Sequence, residues 1–393
     1  MRILHTSDWH LGRSFHREGM LTHQAAYVDH LLAVVESEDV DLVVVAGDIY
    51  DRALPPVDAV RLADETLVRL AHSRANVVLT SGNHDSAQRL GFSSRLIDAA
   101  GVHLRTDVGT VGTPVLVHDE HGPVAVHGIP YLDPHAVADP WQLAPRSHEA
   151  ALTEAMRRVR RDLAARPGVR SVVLAHAFVA GAQPSDSERD ISVGGVSRVP
   201  TSVFDGIDYV ALGHLHGQHV LSDRIRYSGS PLAYSFSEAN HHKGSWLVDL
   251  AGNGSVSAEL VEAPVPRPLA RIRGTLESLL ADADLAAHEQ SWVEATLTDQ
   301  ARPLQAMDQL RRRFPHTLVL AFASTRPTFG APPSAETHAR RDHEVAREFM
   351  VELRGVEPDD DEVQLLYRAI DECCDDPDAD SWLPDAAAEV VVP

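Results

Sequence analysis

Four short apolar runs in this 393-residue chain each stop at residues able to ligate a metal, and that recurrence limits the possible folds more than any other feature. The runs 3–6, 42–46, 77–80 and 210–212 lead into Asp8-Trp9-His10, Gly47-Asp48-Ile49-Tyr50-Asp51, Gly82-Asn83-His84-Asp85 and Gly213-His214-Leu215-His216. A fifth run, 172–175, ends in His176. Each is short, β-branched-rich and bounded by glycine or polar residues, as buried parallel strands are. In α/β proteins the carboxyl ends of such strands share an edge where ligands bind, so residues far apart in sequence are expected to converge there. A single Asp-x-His or His-x-His arises readily by chance. Five such endings on strand-like runs do not. Residues two apart on extended chain point the same way, so His214 and His216 can face one cluster. Gly47, Gly82 and Gly213 precede candidate ligands at points where the backbone must turn sharply or come close to a neighbour.

The donor set mixes imidazole, carboxylate and amide oxygen without a thiolate, which argues against a soft-metal or iron–sulfur site. The sequence opens directly on a strand, without the charged and apolar segments of a signal peptide, and no run is long enough to span a bilayer. The two cysteines, Cys373 and Cys374, are adjacent in an acidic stretch, a poor arrangement for a structural disulfide; a reducing cytoplasm is expected. The formal charge is −22, of which residues 355–393 carry −12 and the first 354 residues −10. Divalent cations in an acidic cleft invert the local field, but so acidic a chain gains little from nonspecific attraction to a phosphate backbone; were its substrate a nucleic acid, a partner or second subunit would be expected to supply part of the grip.

The order D-x-H, G-D-x-x-D, G-N-H-D, H and G-H-x-H is the full pattern of the calcineurin-like metallophosphoesterases. The blocks Ser7-Asp8-Trp9-His10-Leu11-Gly12, 209–216, 226–231 and 235–239 resemble more narrowly the SbcD family, the nuclease subunit of the SbcC and SbcD DNA repair complex. The resemblance is specific over roughly the first 250 residues and architectural beyond them. It implies an α/β, calcineurin-like metallophosphoesterase sandwich with a small α+β capping domain and a C-terminal helical partner-binding segment. The corresponding ranges are 1–264, 269–324 and 334–375, followed by an acidic tail at 376–393. It also implies two divalent metals, with Mn²⁺ expected. Asp8, His10, Asp48 and His216 would hold one; Asp48, Asn83, His176 and His214 would hold the other. Sharing Asp48 suits the chemistry, because a carboxylate can bridge two cations and an imidazole here presents one nitrogen to one.

His84 matches the family histidine that contacts the scissile phosphate, stabilising its charge or protonating the leaving oxygen. Asp85 either orients that ring or caps the helix after Gly82. Asp51 fits the superfamily pattern but sits where some nuclease relatives carry histidine; it is expected to support the ligands from behind. The activity implied is exonuclease on duplex ends and endonuclease on single strands or hairpins. Alternatives are hydrolysis of a small phosphoester by the same metals, or an inactive scaffold for the ATPase.

Pro264, Pro266 and Pro268 mark a linker. After it come an expected strand at 269–272, helix at 276–280, strand at 292–297, helix at 304–313 and strand at 317–323. Pro327, Pro332 and Pro333 mark a second hinge. Beyond it, Val345, Phe349 and Leu353 form a helical stripe stopped by Gly355. A second helix starts at Asp359, with Glu362 as its capping-box partner, and lines up Val363, Leu366, Tyr367 and Ile370. By the resemblance, these helices clasp the coiled coil of an SbcC-like ATPase. A helix over 149–165 places Leu152, Met156, Val159 and Leu163 on one face and four arginines on the other, a solvated surface. All basic residues but Lys243 are arginine, which reads as compositional bias. A homodimer is expected, with contact through Leu62, Leu96 and Ile97: after Asp85, Leu90 and Ile97 define one helical stripe and Phe92 and Leu96 another.

Overall fold

Along the run 42–46, Leu42 and Val44 point to one side of the strand and Val43 and Val45 to the other, and all four are fully buried. Such a strand needs a packed layer on each face. The computed structural model, which describes residues 1–188, 199–323 and 342–374, supplies both layers. Leu42–Ala46 lies inside a six-stranded sheet ordered Val256–Glu262, Gly244–Leu250, Arg2–Thr6, Leu42–Ala46, Asn76–Thr80 and Val102–Arg105. The last four strands are mutually parallel; Gly244–Leu250 runs antiparallel to them, and Val256–Glu262 pairs antiparallel with it in turn.

The expected convergence on one sheet edge becomes convergence between two sheets. Tyr209–Gly213 and Arg170–His176 belong to a second six-stranded sheet, ordered His219–Ser222, Ile225–Tyr227, Tyr209–Gly213, Arg170–His176, Gly122–Ile129 and Val115–Asp119. The two sheets pack face to face through Ile3, Val44 and Val78 against Val126, Leu174 and Ala211. Helices Leu21–Ser37 and Val57–Ala71 cover the outer face of the first sheet, and helix His148–Ala164 covers that of the second through Met156 and Val159. The arginine side of that last helix stays local: Arg157 and Arg158 pair with Glu154, and Arg160 bonds the carbonyls of Val203 and Asp205.

After the proline linker, strands Leu269–Gly274, Trp292–Leu297 and Thr317–Phe322 form a parallel sheet with helices Leu276–Ala281 and Ala306–Arg313 between them. The strands occupy the positions read from the sequence, and the second helix starts two residues late because Gln305 takes a left-handed turn at φ 50°. Trp292 seats this small domain on Phe15, Phe236 and Leu232 of the sandwich. All of this lies in one compact unit, Met1–Ser324; a second unit is Thr325–Pro393.

Within the second unit, helix Asp342–Arg354 ends at Gly355, whose φ of 74° provides the left-handed stop. Helix Asp360–Cys374 begins with the reciprocal capping box: the Asp359 carboxylate accepts from Glu362 N at 2.9 Å and the Glu362 carboxylate from Asp359 N at 3.1 Å. Val363, Leu366, Tyr367 and Ile370 are half-buried, and the Tyr367 ring lies 4.5 Å from that of His343. Val345 and Phe349 are exposed, Phe349 at 59%. Leu353 is on the first helix, but its side chain lies outside the described residues. The acidic tail 376–393 also lies outside them.

The stretch after Asp85 corrects one expectation. It is not one helix but two single turns, Ala87–Leu90 and Ser94–Ile97, broken at Ser93 with φ 62°. The break turns Ile97 onto the chain's own core, where Leu62 also packs, and leaves Phe92 and Leu96 exposed at 78% and 77%. Of the three expected dimer contacts, Leu62 and Ile97 are thus partly buried against the core and Leu96 is exposed.

Candidate metal centre

Beyond its last paired residue, the first strand continues as a stitch between loops: Asp8 N donates to Gly47 O and His10 N to Asp48 O, both at 3.0 Å. Asp8, His10 and Asp48 hold φ of 54°, 47° and 51°, and His214 holds 106°. Left-handed backbone costs a non-glycine residue about 1–3 kcal/mol and persists only where the surroundings enforce it. Here it turns four side chains from three strand ends into one cleft. Two glycines make that possible by closeness: a Cβ on Gly82 would lie 2.1 Å from Asp48 Oδ1, and one on Gly213 1.9 Å from Ala46 O.

The candidate ligands fall into two groups about Asp48. His10 Nε2 and His216 Nε2 face each other at 3.0 Å, with Asp48 Oδ2 3.6 Å from the former. Asp8, His10 and His216 form one compact donor group, and Asp8, Asp48 and His176 another. On the other side, Asn83 Oδ1 lies 2.8 Å from His176 Nε2 and 3.2 Å from His214 Nδ1, and Asp48 Oδ2 is 3.5 Å from His176 Nε2. Asp8 is oriented by the Ser7 hydroxyl, which donates to it, and by His214 N at 3.1 Å.

Ring protons test whether a cation fits. His176 Nδ1 bonds the Ala46 carbonyl at 2.9 Å; a carbonyl only accepts, so Nδ1 carries the hydrogen and Nε2 presents a lone pair. That lone pair faces the Asn83 amide oxygen and the Asp48 carboxylate, an arrangement that a cation between them satisfies. A proton does not serve, because burial holds His176 down at about 4. Burial, followed by the neighbouring histidines, likewise keeps His10 and His214 well below the usual imidazole range, in the neutral form that ligates metals. Burial and then nearby Asp48 push Asp8 well above the usual carboxylate range. Cations among these donors reverse that penalty. The donor set therefore fits hard or borderline divalent metals.

His84 is buried among the candidate ligands and forms a third compact donor group with His10 and Asp48. Its Nδ1 bonds the Asp51 carbonyl at 2.7 Å, so Nε2 is the nitrogen turned inward, 4.0 Å from Asp48 Oδ2, with the ring edge-on to His10 at 4.6 Å. Its backbone N donates to Asp48 Oδ1 at 2.9 Å. Asp51 thus holds His84 through its main chain, while its carboxylate lies 3.7 Å from His10 Nδ1 and from Arg13 Nη1. Asp85 departs from both expected places. Its oxygens accept from the backbone N–H of Gly82, Ile49 and Tyr50 at 2.9–3.1 Å, clamping two ligand loops together, and Ser86 caps the following helix.

Several residues around the centre carry no signal in the motifs. Gln24 donates to the His10 carbonyl at 2.8 Å and to the Tyr234 hydroxyl at 2.9 Å. Ser187, Glu188, Glu238 and Lys243 surround His216. Glu238 lies in the block 235–239, and Lys243 is the only lysine in the chain; either is a usable signal.

Residues 1–218 match the calcineurin-like phosphoesterase family, and residues 265–353 match SbcD_C, described as a Type 5 capsule protein repressor C-terminal domain. Among solved structures, TT1561 of Thermus thermophilus is 12% identical with a TM-score of 0.40, covering 66% of this chain and 98% of its own. GAP50, the anchor in the inner membrane complex of Plasmodium, is 11% identical with a TM-score of 0.40, covering 85% and 99%. Purple acid phosphatase PPD1 from yellow lupin seeds is 11% identical with a TM-score of 0.36, covering 68% and 54%. The chain belongs to the calcineurin-like phosphoesterase family, whose chemistry is metal-dependent phosphoester hydrolysis, and pairs that domain with the C-terminal domain of SbcD.

Proposed function

We propose that the chain is the nuclease subunit of an SbcC–SbcD-like DNA repair complex, cutting DNA phosphodiesters at two divalent cations, Mn²⁺ foremost. The observation that carries the reading is the arrangement of donors from both sheets on either side of Asp48. Asp8, His10 and His216 would complete one metal position with Asp48; Asn83, His176 and His214 would complete the other. When bound, the ions neutralise phosphate charge and activate water for in-line attack. The chain's own residues do the rest. Asp8 and Asp48 supply the charge that places the ions, and the strained backbone fixes their spacing. His84, locked by Asp51, presents Nε2 to the phosphate, where it stabilises developing charge or protonates the leaving oxygen.

Residues 269–324 act as the cap that orients DNA over the cleft. The helices after residue 341 dock an SbcC-like coiled coil, supported by the exposed Val345 and Phe349 and by the match that runs to residue 353. The chain dimerises through the exposed pair Phe92 and Leu96. Among the described residues no helix is long and apolar enough to cross a membrane, and the proposed place of work is the nucleoid.

Metal-loaded protein assayed on bis-nitrophenyl phosphate, single-stranded DNA and duplex ends, with and without the ATPase, tests this. Cleavage of both DNA substrates is expected, stimulated by the partner on duplex ends. Turnover of the small ester with no action on DNA assigns a small-phosphoester hydrolase instead, and no turnover at all assigns a scaffold.

A further inference from the structure

His216 is gripped at three points, each by a buried or half-buried polar side chain. Its backbone N donates to Glu188 Oε1 at 2.7 Å, and its carbonyl accepts from Lys243 Nζ at 2.8 Å. Its ring Nδ1 meets Ser187 Oγ at 2.5 Å, and that hydroxyl lies 2.6 Å from Glu238 Oε1. Lys243 closes the circuit: its remaining donors reach Glu238 Oε2 and, at 3.0 Å, Ser230 Oγ, so all three ammonium hydrogens are used. Ser187, Glu238 and Lys243 are all buried, Glu238 at 1% exposure.

The hydrogens in this network can be placed by inventory. A carboxylate only accepts, and Glu238, paired with Lys243, is a carboxylate; the single hydroxyl hydrogen of Ser187 therefore goes to Glu238. Ser187 Oγ then accepts from His216 Nδ1–H. Ser185, whose hydroxyl lies 2.7 Å from Glu188 Oε2 and 3.0 Å from Ser187 Oγ, has its own acceptor in Glu188 and does not compete. The ring is left with its lone pair on Nε2, the atom that faces His10 Nε2 and the cleft.

We infer that Ser187, Glu238 and Lys243 are positioning residues that fix the tautomer and direction of the His216 ring and thereby set the affinity of the metal position shared with Asp8 and His10. A carboxylate or carbonyl on the far nitrogen of a ligating histidine is a recurring device for raising its basicity and holding its plane, and losing it costs about 10–100-fold in metal affinity. Here a serine is interposed, and a buried lysine keeps the carboxylate charged while holding the ligand's own main chain. The point-like ammonium suits that double task, and it is the one position in the chain where lysine replaces arginine.

The inference rests on reading His216 as a ligand, and the test separates the two. Mn²⁺ binding alone is titrated calorimetrically and by the Mn²⁺ resonance signal in the full chain, without DNA, for wild type, Ser187→Ala, Ser187→Thr, Glu238→Gln, Lys243→Met and His216→Ala. Expected is about 10–100-fold weaker binding of one of two Mn²⁺ equivalents in Ser187→Ala and Glu238→Gln, with the melting temperature of the metal-free protein nearly unchanged in Ser187→Ala and lowered in Glu238→Gln, where Lys243 loses its buried partner. Ser187→Thr, which keeps the hydroxyl, should recover most of the loss. Should Lys243→Met not fold, Ser187→Ala and its threonine rescue still decide. Wild-type binding by Ser187→Ala, beside loss of one equivalent in His216→Ala, overturns the positioning role alone. Two tightly bound equivalents in His216→Ala overturn the ligand reading and the inference with it.

Discussion

In the cleft, three histidine rings are each held by the nitrogen turned away from the candidate ligands: His84 by the Asp51 carbonyl, His176 by the Ala46 carbonyl and His216 by Ser187. In the C-terminal helical pair, Val345 and Phe349 face solvent, and even the inner stripe of Val363, Leu366 and Ile370 is only half-buried. One region has its geometry fixed by its own chain, down to left-handed backbone at Asp8, His10 and Asp48. The other has well-formed ends, a capping box and a glycine stop, but too little apolar surface between them for a core. Preorganisation belongs where small ions and a phosphate must be met within tenths of an ångström. Unfinished packing belongs where a large partner completes it.

The sharpest way to break this contrast is within the cleft. Asp48→Ala removes the carboxylate proposed to serve both metal positions and should reduce the bound metal from two equivalents to none at micromolar Mn²⁺, with cleavage abolished; elemental mass spectrometry after gel filtration measures it. A variant that keeps either ion tightly would show that Asp48 is not shared. Next in size is a chain ended near residue 324, which should cut single-stranded DNA at nearly the wild-type rate yet no longer co-purify with the ATPase. Retained association would place docking in the first unit and undo the contrast from the other side.

A smaller effect is expected at the exposed pair beside the metal loops. Leu96→Asp buries a charge in the proposed dimer contact at a cost of several kcal/mol, about three decades in dissociation constant, and should run as a folded monomer in light scattering. An intact dimer would move the contact elsewhere. The least effect concerns proton linkage in the metal-free protein. Burial lowers His5 to about 3 and His176 to about 4, so the folded chain keeps both neutral while the unfolded chain protonates them near 6.5. The contribution of these two histidines should therefore fall as pH drops below about 6.5 and level off near the folded values, while Asp85, which burial holds up at about 7, acts in the opposite sense. His5 bonds Tyr209 and the Leu212 carbonyl between the sheets, away from the metals. Denaturant titrations at pH 7, 6 and 5 should show a shallower slope in His5→Gln; an equal slope would refute its part in the linkage.

How much of this is readable in the sequence follows from the range of each interaction. The strands are legible because alternation and length are local, and the ligand positions because they end those strands at fixed offsets. The division into two sheets is not, since nothing within 170–176 says which strands will be its neighbours. The stretch after Asp85 misleads because Leu90, Phe92, Leu96 and Ile97 keep an apolar rhythm through a break set by Ser93, a residue with no marked preference for left-handed backbone. Asp85 misleads because its partners, the N–H groups of Ile49 and Tyr50, lie 36 and 35 residues away. Ser187 reaches His216 from one loop and Glu238 and Lys243 from another, and only the block 235–239 and the singularity of the lysine point to them.

The central claim is that two metals and a non-ligand histidine share the work of cleavage, and His84→Ala tests it most directly. Mn²⁺ titration beside an assay on single-stranded DNA should show two equivalents bound as in wild type, with the cleavage rate down by about 10²–10⁴-fold. Loss of an equivalent would make His84 a ligand, and near-normal cleavage with both ions bound would remove it from the chemistry.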